Sequence, residues 1–134
     1  MSGVRIAGAL LRANAPFLAI VPLASVKAWK LRQNTQPPSA VATRISRTKL
    51  QLLDAQDTWL VTERVQITIR ARSGDQREKL IRLGERACVD KFGTIGGFEN
   101  VSVISSGAGP DFEDDSGTVF MGSFDLRVSF NEPA

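Results

Sequence analysis

The clearest pattern along the chain lies at residues 59–72, where Val65, Ile67, Ile69 and Ala71 alternate with Arg64, Gln66, Thr68, Arg70 and Arg72. A period of two is that of a strand with one buried face. The same alternation returns at residues 118–130, where Phe120, Phe124, Leu126, Val128 and Phe130 point one way and Asp125, Arg127 and Ser129 the other. This second run predicts a long strand, either central or at one edge of the main sheet. A shorter strand is predicted at residues 100–105 through Val101, Val103 and, less regularly, Ile104.

Helical spacing appears twice. Over residues 3–13, Val4, Ala7, Leu10 and Leu11 share a face opposite Arg5 and Arg12, which predicts a short amphipathic helix. Pro16 and Pro22 end or interrupt it, with room for one more turn at residues 17–21. The second helix is predicted from Asp75 to about Phe92, with Leu80, Ile81, Gly84, Ala87 and Cys88 inward and Gly93 ending it. Asp75 followed by Glu78 has the form of a capping box. Gly84 costs about 1 kcal/mol relative to Ala in a helix; it fits a close crossing over the sheet or a tolerated surface position.

Residues 25–32 and 39–47 have moderate strand character and read as a hairpin or loosely paired strands around Asn34, Pro37 and Pro38. Residues 50–57 read as a loop or an extended strand arm. Residues 107–117, with their glycines, Pro110 and four acids, read as an exposed loop. The order predicts one α+β domain over residues 1–134, a single mainly antiparallel sheet with two main helices packed on one face.

Composition narrows the function. An apolar fraction of 43% and a charged fraction of 23% exclude a disordered chain. The single cysteine, Cys88, permits no intrachain disulfide, and the absence of histidine removes His-based triads, His acid/base chemistry and most zinc sites. Gly93, Gly96 and Gly97 follow a helix where a phosphate-cradling loop would precede one, and the acidic run lacks the alternating ligands of a calcium loop. No enzyme activity, cofactor or metal is expected. The N-terminal apolar stretches are broken by Arg12, Asn14 and Pro16, so the reading is a product made in the cytoplasm without export or anchoring, and no partner membrane is expected.

Charge is sorted along the chain. Residues 1–53 hold eight Lys/Arg and no acid, whereas residues 92–134 hold seven acids and one cation, Arg127. Opposite flanks of this kind permit head-to-tail association. The expected interface residues are Arg44, Arg47 and Lys49 on one subunit facing Asp111, Glu113, Asp114 and Asp115 on its neighbour or on another ring; alternatively the acidic loop faces a lumen. The basic set Lys27, Lys30, Arg32, Arg44, Arg47 and Lys49 around Trp29 also has the form of a nucleic-acid-binding surface, although a net charge of only +3 is small for one.

The opening helix with Leu10 and Leu11, the Pro37-Pro38 step into a strand at 40–46, the strand at 64–71 passing through Ser73 and Gly74 into a helix, and the closing strand at 124–130 together resemble the tail completion, or tail terminator, proteins of long-tailed phages and gene-transfer particles. The resemblance covers nearly the whole chain. It implies a structural virion protein of the tail or neck, made in the host bacterial cytoplasm. Such a subunit forms a hexameric ring on the head-proximal end of the tail tube, ends tube growth and joins the tail to the head connector or stopper. DNA then passes through the lumen without specific binding. The alternatives are another neck or connector ring component and a basic nucleic-acid-binding module.

Overall fold

The computed structural model describes residues 2–28, 37–50, 58–113 and 117–133. Trp29, Lys30, Arg32, the expected loop or arm beyond Leu50, and Asp114 and Asp115 lie outside the described residues. Helix α1 (Ser2–Arg12) buries Val4, Ile6, Ala7 and Leu11 and leaves Arg5 and Arg12 exposed. A single further turn, α2 (Ala15–Leu18), starts where the Asn14 side chain accepts the Phe17 amide at 2.9 Å, and it buries Phe17. Strand β1 (Val26–Ala28) follows, then β2 (Ser39–Leu50), β3 (Thr58–Ala71), helix α3 (Gly74–Cys88), β4 (Lys91–Ile95), β5 (Phe98–Ala108), β6 (Phe112–Glu113) and β7 (Phe120–Pro133).

The strands form one sheet in the order β1-β2-β3-β7-β5-β4, antiparallel throughout except for β1. Strand β6 pairs β7 as well, prolonging the edge that β5 occupies (Ala108↔Phe124, then Phe112↔Met121). All the helices pack on one face. There Val65, Ile67, Ile69, Phe124, Leu126 and Val128 meet Ile6, Leu11, Phe17, Leu80 and Cys88 in one buried cluster. The α+β expectation is therefore met, and β7 is central.

Three local expectations need correction. Strands β1 and β2 are parallel (Val26↔Ala40, Ala28↔Ala42), not a hairpin. This direction puts Val26 into the core beside α1, and Arg12 donates to the Val26 carbonyl at 3.1 Å. Helix α3 stops at Cys88, because Val89 is already extended and Asp90 takes a φ of 60°; the apolar Phe92, expected to close the helix, lies instead in edge strand β4. The cap lies two residues before the expected box: Ser73 accepts the Gln76 amide at 3.1 Å, and Gln76 reaches back to the Arg72 amide at 2.8 Å. Gly84 has a clear reason. A Cβ there would sit 2.7 Å from Phe124 Cζ and 3.6 Å from Phe17, so the glycine is where α3 crosses closest to the sheet.

Candidate interaction site

Strand β2 carries a bulge between Arg44 and Ser46. Before it, Ala40 and Ala42 face the helices; after it the parity switches, and Arg47 and Lys49 take that side while Ser46, Thr48 and Leu50 face the other. Arg47 thereby stands opposite Glu63, the one acid on the buried side of β3. Glu63 is fully buried. Its Oε1 accepts the Gly3 amide at the start of α1 at 3.2 Å, and its Oε2 accepts Arg47 Nη1 at 3.3 Å. A helix N-terminus has unpaired amides and a positive dipole end, so it suits a carboxylate. Gly3 permits the approach, since a Cβ there would lie 2.9 Å from Glu63 Oε1.

Arg47 continues the network. Its Nη2 donates to both Glu132 oxygens at 2.5 and 2.6 Å, and Lys49 lies 3.6 Å from Glu132 Oε1 and 4.2 Å from the centre of the Trp59 ring. The hydrogen bond from Arg47 holds the Glu132 carboxyl below its ordinary value, against the opposing effect of burial. The bond to Glu132 likewise raises Arg47. This chain of contacts ties β2, β3, β7 and the start of α1 together at the end of the sheet away from α3.

Among the described residues no helix covers the opposite face of the sheet, and its strand registers define rows of side chains. One row runs Thr48, Thr62, Ser129, Ser102 and Phe92, with the Thr62 and Ser129 hydroxyls 3.0 Å apart. The next runs Ser46, Arg64, Arg127 and Ile104. On the far side of the hydroxyl row, Leu50 pairs Leu60, which pairs Asn131, and Asn131 accepts from Asn100 at 3.3 Å. A groove of about 700 Å³ lies over members of all three rows, from Ser46, Arg64 and Arg127 through Thr48, Thr62 and Ser129 to Leu50 and Leu60. Arg64 is held by Asp125, whose Oδ2 accepts both Nε (2.9 Å) and Nη2. Asp125, expected outward, is on the outer side but only 6% exposed beneath this arginine.

The expected interface residues are thus spread over separate places. Arg47 and Lys49 are engaged inside the subunit. Arg44 is exposed at the bulge and makes no ion pair among the described residues. Asp111 is half exposed, 3.6 Å from Arg77 on the first turns of α3, and Glu113 is exposed on β6. Sequence reasoning passed over Glu63, Arg64, Asp125 and Glu132 as partners. An acid at an inward position of an alternating strand was the available signal for Glu63. Cys88 is buried, and desolvation pushes its thiol up to about 12, so it behaves as an apolar group. Among the described residues, no helix is long and apolar enough to cross a membrane. Among the described residues, no three His, Cys, Asp or Glu side chains gather as metal ligands would.

No family model matches the chain, and no curated protein matches it. Among solved structures, the chain is similar to one chain of a structure described as the virion of a native gene transfer agent (GTA) particle. The TM-score is 0.69 and the identity 11%, with 98% of this chain and 97% of the other covered. At that identity the likeness concerns the fold, which the two chains share from end to end.

Proposed function

We propose that the protein is a structural, non-enzymatic component of a virion or gene-transfer particle, and within it a tail terminator. It forms a ring at the head-proximal end of the tail tube, ends tube growth and meets the head connector. The observation that carries this reading is the end-to-end fold match with a virion chain, which spans 98% of this chain and 97% of the other. The element order of the sequence supports the same reading independently. So does the sheet, with one face covered by helices and the other grooved, carrying exposed Leu50, Phe92 and Ile104 among its polar side chains.

In this reading Arg44 and the run Asp111, Glu113, Asp114 and Asp115 contact neighbouring subunits or rings. Arg47 and Lys49 contribute by fixing the geometry of β2. Exposed ion pairs contribute only about 0–1 kcal/mol each, so apolar contacts supply most of the affinity and charge sets orientation. The functional test is removal of the gene from a producing strain, followed by electron microscopy of the particles. Tail tubes of uncontrolled length, or tubes not joined to heads, are expected. Normal tails on normal heads would contradict the assignment.

A further inference from the structure

The helix-free face holds an arrangement that folding alone does not explain. Arg64 and Arg127 stand directly opposite each other on β3 and β7, and like charges at directly opposed positions destabilise a strand pair. Asp125 neutralises only Arg64. Arg127 is exposed and makes no ion pair among the described residues. Beside these guanidinium groups lies the row of Thr48, Thr62 and Ser129, in which Thr62 and Ser129 share one hydrogen bond and the remaining hydroxyl protons are able to donate, and Ser46 closes the same groove. The groove is therefore lined on one side by donors suited to an anionic group and on the other by Leu50 and Leu60.

We infer that this groove is the docking site for the acidic segment Asp111, Glu113, Asp114 and Asp115 of a second copy of the chain. The assignment rests on the ring reading above and names the contact that would build the ring. Arginine binds carboxylate in a bidentate manner, and every copy supplies both halves in equal amount. The described part of the acidic segment lies far from the groove of its own subunit. Glu113 is fixed beside Phe120 by β6, whereas the groove lies at Arg127 and Ser129, about 23 Å further along β7. The contact therefore joins two copies; repeated in one direction from subunit to subunit, as the ring reading requires, it is heterologous and closes into a ring, whereas a reciprocal exchange would give only a dimer. A nucleic-acid backbone suits the groove less well, because neutralising one or two phosphates gives little affinity at physiological salt.

The test uses a labelled synthetic peptide of residues 109–117, titrated with the full chain and followed by fluorescence anisotropy at low and physiological salt. Saturable binding is expected. It should weaken tenfold or more with Arg127→Glu, and equally with a peptide whose four acids are replaced by their amides. Arg127→Glu should fold normally, because the residue is exposed and the change removes a like-charge pair; thermal melting checks this, and Arg127→Gln serves as a milder variant. No saturable binding, or binding unchanged by Arg127→Glu, overturns the inference. Arg127-dependent binding of an oligonucleotide in place of the peptide overturns it too and assigns the groove to nucleic acid. Light scattering separates the two levels: a ring whose mass survives Arg127→Glu sinks the groove assignment alone, and peptide binding by a chain that never forms rings sinks the ring reading alone.

Discussion

Arg47→Ala separates a docking arginine from a structural one. In the folded subunit Arg47 is the cation beside Glu63, a carboxylate with no exposed surface, and it also holds Glu132 at 2.5 and 2.6 Å. Removing one partner of a buried pair costs about 3–5 kcal/mol, because the remaining charge is left uncompensated. Glu63 would keep the Gly3 amide at 3.2 Å, which places the loss near the lower end, and the half-exposed contact with Glu132 adds up to about 1 kcal/mol. A loss of about 3–4 kcal/mol is thus expected, a large part of the ~5–15 kcal/mol that holds an ordinary domain together. Urea unfolding followed by tryptophan fluorescence measures it. Glu63→Gln placed in the Arg47→Ala background should recover about 1–2 kcal/mol, since the stranded charge is gone while an acceptor for Gly3 remains. A single variant that loses less than about 1 kcal/mol while failing to assemble would refute this reasoning and make Arg47 a docking residue.

Gly84→Ala should destabilise by about 1–2 kcal/mol: the added methyl would sit 2.7 Å from Phe124 Cζ, and overpacking outweighs the ~1 kcal/mol gain in helix propensity; a rise in melting temperature would contradict this. Ser73→Ala removes the acceptor for the Gln76 amide and should cost about 1 kcal/mol in denaturant titration. Because Arg47 lowers the Glu132 carboxyl below its ordinary value near 4.5, its contribution is complete above the unfolded value and is lost as pH falls through the lower folded one; melting curves between neutral pH and about pH 3 should show a shallower acid slope for Glu132→Gln. Cys88, buried and with its thiol pushed up to about 12, should resist a thiol reagent at pH 8 in the native protein and react once urea is added.

The two strongest periodic signals in the sequence became β3 and β7, adjacent at the centre of the sheet, because a long run of alternation admits no other burial. The helices were legible for the same reason. What escaped the sequence was set by contacts between distant segments. Whether β1 ran with or against β2 depended on the site Val26 found beside α1. The end of α3 depended on β5 offering an edge to Lys91 and Phe92, residues whose helical and strand spacings are alike over so short a span. The charge sorting was real but incompletely read. Because β7 lies beside β3, Glu132 meets Arg47 and Asp125 meets Arg64 within one subunit, so part of the basic and acidic halves is satisfied internally. The bulge at Arg44, which nothing in the local sequence marks, decides which side Arg47 and Lys49 face.

The central claim is that copies of this chain join head to tail into a ring on a tail tube. Its most direct test is absolute mass by light scattering, for the purified chain over a range of concentrations and salt and again in the presence of tail tubes. The account predicts a discrete ring, alone or on the tube, whose assembly weakens as salt rises. A chain that stays monomeric in every condition and leaves the tubes uncapped would contradict it.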